Sequence, residues 1–299
     1  MRHLTSVLDL SRADIESVLA TARAIGGGDV PAARGVAGVL FFESSTRTRA
    51  GFEAAAARLG VGTFVLNETR DADRMSNPES LEDTIRVVSA YADVLCVRHP
   101  DVDAFDHALR EARCAVVNCG NGSDEHPTQA LADLFAIEAA RGRIDGLTVA
   151  VVGDLVSMRS AHSLLLALSL FDDVTARLVS PPALQMPDRY VAPAIAAGHC
   201  IESTDTLVVD DVDIVYVAGF PPHSPRGSFT AKQRRAFAID DALARKLPPH
   251  ARILCPLPRI DEIDRSVDAL PVAGYFAQSD AALLVRMAVL ERALGSAAA

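Results

Sequence analysis

Short apolar runs alternate along the chain with longer stretches in which Ala, Leu and Arg recur at helical spacing, a pattern that predicts βα units packed as a parallel sheet between helices. Two such sets are predicted. In the first, residues 39–42, 63–66, 94–97 and 115–118 read as strands, with helices over 47–59, 78–91 and 104–112. A long helix over 126–141 then forms a bridge. In the second, residues 147–152, 176–179, 214–217 and 252–254 read as strands, with helices over 158–170, 190–197 and 240–246. A last helix, 280–294, stands apart. The segment 219–232 is rich in Pro and Gly and reads as a long irregular loop, either held for binding an acceptor or simply disordered.

A chain of 299 residues has room for two domains, and 49% apolar with 23% charged residues is ordinary for a globular protein. No apolar run approaches the roughly 20 residues of a membrane span, and the first ten residues carry charges where a signal peptide needs an apolar core, so a cytoplasmic protein is expected. The net charge of -10 argues against nucleic-acid and anionic-membrane partners, and makes any pocket that gathers arginines a local feature, suited to a small anion. Cys96, Cys114, Cys119, Cys200 and Cys255 are odd in number and form no C-x-x-C pair. They read as reduced, buried thiols, with no metal expected.

Candidate chemistry gathers behind the predicted strands, where open α/β sheets place ligands. Glu43-Ser44-Ser45-Thr46-Arg47-Thr48-Arg49 follows the first strand and opens a helix. Unpaired backbone N–H groups at the positive end of a helix, with Ser45, Thr46 and Thr48 hydroxyls and the Arg47 fork, make an anion seat for which phosphate is the natural guest. The alternative is an ordinary Ser- or Thr-capped helix with solvated arginines. Arg98 ends the third strand, either as a ligand-facing cation or paired with a carboxylate. The glycine-rich turn from Gly120 delivers His126 to a helix start, where it serves as a polar cap or shares a rim with Arg47 and Arg98. Cys255-Pro256-Leu257-Pro258-Arg259 is a stiff turn whose carbonyl oxygens either face a ligand or merely shape the turn. Residues 149–154 carry one glycine where a dinucleotide fingerprint needs three, which excludes a nicotinamide cofactor. Arg159 follows, directed to a crevice between domains or to solvent.

Taken together, Ser45-Thr46-Arg47-Thr48-Arg49, Arg98-His99-Pro100, His126-Pro127-Thr128-Gln129, Val152-Gly153-Asp154-Leu155 with Arg159 and His162-Ser163, and Pro256-Leu257-Pro258-Arg259 with Asp261-Glu262-Ile263 resemble the aspartate/ornithine carbamoyltransferase family. The His-Pro-Thr-Gln and Pro-Leu-Pro-Arg motifs lie closer to the aspartate branch. The resemblance implies an α/β fold of two doubly wound parallel-sheet domains. Residues 1–139 would bind carbamoyl phosphate, completed by a returning helix over 280–295, and residues 140–279 would bind the acceptor. It implies a cytoplasmic homotrimer with active sites between subunits, small-molecule substrates, and no cofactor. Ser45, Thr46, Arg47 and Thr48 would hold the phosphate, and Thr48, Arg98 and His126 would contact the carbonyl oxygen. Gln129 and the carbonyls of Pro256 and Leu257 would bind the carbamoyl NH2. Arg47, Thr48, Arg98 and His126 would form the catalytic set, and Arg159 and Leu257 would serve the acceptor; apart from the resemblance, Arg226 of the 219–232 loop is a further acceptor-binding candidate as a cation that could move in.

Two departures stand against the aspartate branch. The loop 67–77 lacks the lysine that the branch sends into a neighbouring subunit; Asn77 stands near its place, and Arg70 or Arg74 is the only nearby cation type, a planar fork in place of a point charge. Beyond Val217 the branch carries an arginine and a glutamine that grip aspartate's carboxylates, whereas this chain reads Ala218-Gly219-Phe220-Pro221. The expectation is therefore a carbamoyltransferase acting on an amino-acid-like amine other than aspartate. Aspartate is the alternative acceptor, and a silent structural or regulatory homologue is a further alternative.

Overall fold

In the computed structural model of the chain, residues 3–66, 79–220 and 230–295 are described. The chain divides into two compact units, residues 1–131 with 282–299, and residues 132–281.

The first unit is built on a parallel sheet of five strands in the order β1-β5-β4-β2-β3. These are β1 (His3–Leu4), β2 (Val36–Phe41), β3 (Gly62–Leu66), β4 (Val94–His99) and β5 (Ala115–Asn121). Every residue of β4 and β5 is buried, as a parallel strand covered on both faces requires, so each reads as a run and not an alternation. Helix α1 (Arg12–Gly26) starts at a Ser11–Asp14 capping box and buries Ile15, Val18, Leu19, Ala22 and Ile25. Helix α2 (Thr46–Leu59) ends at Gly60, whose φ of 76° suits a left-handed C-terminal cap. Helices α3 (Leu81–Val88) and α4 (Val102–Leu109) cover β4 and β5 with a core that includes Ile85, Leu95, Phe105 and Val116. Helix α5 (Pro127–Arg141) begins in this unit and ends in the other.

The second unit repeats the plan, with strand order β10-β9-β6-β7-β8 and every pair parallel. Its strands are β6 (Thr148–Gly153), β7 (Thr175–Val179), β8 (Cys200–Thr204), β9 (Ile214–Gly219) and β10 (Arg252–Leu254). Its helices are α6 (Arg159–Leu168), α7 (Asp188–Ala196), and the short α8 (Ala231–Arg235) and α9 (Asp241–Ala244). Helix α10 (Tyr275–Gly295) starts here and finishes in the first unit.

Each of the eight predicted strands is present. The structure adds β1, β8, α1 and α8. Helix α3 is shorter than the predicted 78–91 because Ser80 caps the Asp83 N–H and the helix stops at Ser89, leaving Tyr91 exposed; residue 78 lies outside the described residues. Helix α10 begins five residues before the predicted 280, since Tyr275 and Gln278 are buried and belong to its first turns. Four cysteines are buried and unbridged, but Cys200 is exposed on β8, an edge strand, contrary to expectation. Among the described residues no helix is long and apolar enough to cross a membrane, and no cluster of His, Cys, Asp and Glu has the makings of a metal site.

Candidate active site

In each unit the strand order reverses around the first strand of its βα series, and in such sheets ligands collect outside the carboxyl ends at the reversal. In the first unit the reversal lies between β2 and β4. The Phe42 N–H donates to the Arg98 carbonyl at 2.9 Å there, which holds the chain at the end of β2 beside the end of β4. Ser45 then stands at the N-cap of α2 in extended conformation without making a side-chain cap hydrogen bond. The ordinary capped-helix reading therefore fails for Ser45. Its hydroxyl is left for another acceptor, at the positive end of the helix. Thr46 and Arg47 are exposed, Ser45 is half-buried and Thr48 is buried.

Arg98 is 8% exposed, donates from Nη1 to the Cys119 carbonyl at 3.3 Å, and pairs through Nη2 with Glu43 Oε1 at 3.2 Å. The carboxylate-paired reading of Arg98 is the one observed. It has a carboxylate partner, and it also lies at the end of a central strand beside the α2 entry. Glu43 was not singled out by the sequence reading.

His126 immediately precedes α5 and is 6% exposed. Its Nε2 lies 3.5 Å from Thr48 Oγ1 and its Nδ1 3.2 Å from Thr128 Oγ1, so the ring bridges α2 and the start of α5. The turn that delivers it requires glycine at Gly122. There φ is 51°, and a Cβ would lie 2.8 Å from the Pro100 carbonyl oxygen. Asn118 and Asn121 tie the turn together. Asn118 Oδ1 accepts from the Gly120 N–H at 2.7 Å, and Asn121 Oδ1 accepts from the Glu125 N–H at 3.0 Å. Gln129 is buried in the first turn of α5. Ser45, Thr46, Arg47, Thr48, Arg98, His126 and Gln129 all belong to the first unit.

In the second unit the reversal lies between β6 and β9, whose carboxyl ends are Gly153 and Gly219. Gly153 has φ 144°, and a Cβ there would sit 2.5 Å from the Gly219 carbonyl oxygen. Gly219 has φ 90°, and a Cβ there would meet Glu262 Oε1 at 2.9 Å. The strand ends therefore approach backbone to backbone, and neither position accepts a side chain without rearrangement. Glu262 is buried; its carboxylate accepts from the Phe220 N–H at 3.1 Å, the Ile260 N–H at 2.6 Å and the Asp261 N–H at 3.2 Å. Asp154 is fully buried and its Oδ1 accepts from the N–H groups of Val156 and Ser157, shaping the entry to α6.

Arg159, the first residue of α6, is half-buried. His162, three residues on, belongs to the core: it is fully buried, its Nε2 lies 2.8 Å from the Leu155 carbonyl, and its ring stacks on Tyr190 at 3.9 Å. The turn after β10 carries half-buried Pro256 and Leu257, the latter with φ 53°. A buried network anchors its start. The Cys255 N–H donates to Gln278 Oε1 at 2.8 Å, Gln278 Nε2 to Asp133 Oδ1 at 2.6 Å, and the Tyr216 hydroxyl to Asp133 Oδ2 at 2.8 Å. Burial, then the neighbouring Asp133 carboxylate, push the Tyr216 hydroxyl well above the ordinary tyrosine range. Arg259 anchors the other end of the turn, donating from Nη2 to Asp268 Oδ2 at 2.6 Å and from Nη1 to the Tyr275 hydroxyl at 3.0 Å. Arg226, Arg70, Arg74 and Asn77 lie outside the described residues.

Two parallel sheets with polar groups at their reversal points are the architecture of α/β proteins that bind small ligands. Residues 2–139 match the aspartate/ornithine carbamoyltransferase carbamoyl-P binding domain, and residues 145–293 match the Asp/Orn binding domain of the same family. The aspartate carbamoyltransferase catalytic subunit of Thermoplasma acidophilum is 39% identical over 296 residues, covering 98% of this chain and 94% of that one. The corresponding subunit of Archaeoglobus fulgidus is 38% identical over 98% of this chain and 99% of its own. Among solved structures, the catalytic subunit of aspartate transcarbamoylase from M. jannaschii superposes with a TM-score of 0.89 at 36% identity, covering 99% of both chains. The Trypanosoma cruzi enzyme in complex with N-(phosphonacetyl)-L-aspartic acid gives 0.87 at 37% identity, over 97% of this chain and 94% of that one. The chain belongs to the aspartate/ornithine carbamoyltransferase family and is a carbamoyltransferase.

Proposed function

We propose that this enzyme transfers the carbamoyl group of carbamoyl phosphate to the amine of aspartate. The observation that carries the choice of acceptor is the near full-length similarity, at 38–39% identity, to proteins named aspartate carbamoyltransferase catalytic subunit. The expectation of a different acceptor gives way to it as the leading reading. The first unit supplies the donor half of the chemistry. The free hydroxyl of Ser45, the first turn of α2 and the Arg47 fork receive the phosphate, and Thr48, Arg98 and His126 face the carbamoyl oxygen. Gln129 and the carbonyls of Pro256 and Leu257 serve the carbamoyl nitrogen. Attack by the neutral amine builds negative charge on that oxygen and on the leaving phosphate, and donors fixed beforehand stabilise it more in the transition state than in the ground state. Arg159 takes a carboxylate of the acceptor. The working enzyme is a cytoplasmic homotrimer, with no cofactor.

One observation favours a second reading. Gly219 ends β9 with Glu262 2.9 Å from where its Cβ would stand, so no cation projects from that position to meet aspartate's second carboxylate. An acceptor with a single carboxylate fits this arrangement, since an unpaired carboxylate taken out of water costs several kcal/mol. The experiment is phosphate release from carbamoyl phosphate with a panel of amines. Aspartate giving the highest kcat/KM upholds the first reading. A single-carboxylate amine exceeding aspartate by about 100-fold, equivalent to roughly 2.7 kcal/mol, upholds the second. Binding of carbamoyl phosphate with no release by any amine would mean a silent homologue.

A further inference from the structure

We infer that Glu125 is a positioning residue that latches residues 5–7 onto the His126 turn and so fixes the direction of the His126 ring. The inference rests on the role proposed for His126.

The latch is built from the edge of the first sheet. The two-residue strand β1 pairs with β5, His3 opposite Val116 and Leu4 opposite Val117. A two-residue strand has little pairing of its own to hold it, yet the chain beyond it stays bound to the end of β5 through side chains. Asn118 Nδ2 donates to the Thr5 carbonyl at 2.8 Å, and Asn118 Oδ1 meanwhile accepts from Gly120. The Ser6 hydroxyl donates to Glu125 Oε1, and the Val7 N–H donates to Glu125 Oε2 at 2.9 Å. Residues 5–7 are held firm on their own side, because the Ser6 hydroxyl oxygen caps the 3-10 turn Val7–Asp9, accepting from the Leu8 N–H at 3.0 Å, and the Ser6 N–H donates to Asp9 Oδ2 at 3.0 Å.

Glu125 is 6% exposed and is also gripped through its backbone, its N–H donating to Asn121 Oδ1 and its carbonyl accepting from the Asn121 N–H at 3.2 Å. Both ends of the residue before His126 are therefore fixed. A carboxylate buried in this way is costly unless its oxygens find donors, and here both do. Nothing in the described reaction uses the carboxylate itself. What it determines is the exit of the chain into His126, whose Nε2 must stay near Thr48 Oγ1, 3.5 Å away, if it is to donate to a carbamoyl oxygen beside Thr48. A glutamine can preserve both contacts: its oxygen accepts from Val7 N–H, and its amide donates to a Ser6 hydroxyl turned to accept. An alanine preserves neither.

The test compares wild type with Glu125→Ala, Glu125→Gln and Ser6→Ala, in the full chain. Three readouts are needed: kcat and KM for carbamoyl phosphate, inorganic phosphate affinity by calorimetry, and the imidazole resonance of His126 in protein labelled with 15N-histidine. That resonance is assigned by its loss in His126→Asn. Glu125→Ala is expected to shift the His126 resonance and lower kcat roughly 10- to 100-fold, the scale of misplacing a group by about an ångström, with phosphate affinity within about threefold of wild type. Glu125→Gln restores most of both, and Ser6→Ala gives a smaller loss of the same kind. A folded Glu125→Ala with an unshifted His126 resonance and unchanged kcat overturns the inference, as does a Glu125→Gln no better than alanine. If Glu125→Ala does not fold, Ser6→Ala decides by the same criteria. If wild type itself releases no phosphate with any amine, the proposed function fails, and the resonance still decides the latch.

Discussion

Arg47 is exposed at the first turn of α2, and the Ser45 hydroxyl beside it makes no cap bond. A charged hydrogen bond of this kind contributes about 1.5–3 kcal/mol, so Arg47→Ala should weaken carbamoyl phosphate binding roughly 10- to 150-fold in calorimetry. An unchanged dissociation constant would remove Arg47 from the seat. Gly219 shows the opposite constraint. An arginine there would set its Cβ 2.9 Å from Glu262 Oε1 in a backbone with φ 90°. Gly219→Arg should therefore cost about 1–3 kcal/mol of stability in urea unfolding and bring no gain in activity with aspartate. A stable variant with improved aspartate turnover would show that the Glu262 turn yields readily.

At the scale of elements, the turn after β10 is held in part by ionisation. The Asp268 carboxyl is kept below the ordinary carboxylate range, first by its hydrogen bond from Arg259 and then by that from Tyr275, with burial opposing both. A carboxylate with a lowered native pKa adds stability that is fully present above its unfolded value and is lost as pH falls through the native one. The stability difference between wild type and Asp268→Asn should thus hold from pH 7 down to about 4 and shrink below it, a trend that urea titrations at several pH values would reveal. A difference independent of pH would mean that the bond works without charge. The same scale shows what could be read from the chain. Strands such as β4 and β6 were legible because burial on both faces writes a continuous apolar run. Strand β1 was not, since two residues carry no period and their pairing with β5 joins positions more than a hundred residues apart. Strand β8 is an edge strand of largely exposed, mostly polar residues, and so left no apolar signal. Helix α1 does carry one, the Ser11–Asp14 box ahead of Ile15, Val18, Leu19 and Ala22. The candidate anion seat was legible because its groups are contiguous in sequence. Glu43, Asn118 and Glu125 were not singled out, since a side chain's partner in space is not written beside it.

Across the whole molecule, both passages between the units run inside helices, α5 and α10, so the first unit is assembled from two separated stretches of chain. The second stretch is integral to it. Val285, Met287, Val289 and Leu290 are buried, Leu284 and Leu294 fill the space beside Gly26 and Gly35, and Arg292 donates to Ser17 Oγ at 2.8 Å and pairs with Asp14 on α1. This has a consequence for biosynthesis. Domains ordinarily fold in the order in which they leave the ribosome, but the first unit here must wait for residues 282–295, which emerge after all of the second. Ribosome-bound chains stalled with residue 281 outside the exit tunnel should show a protease-resistant second unit and a cleavable first one. Release of the remaining residues should then protect both, so the half of the enzyme that is made first is the last to mature.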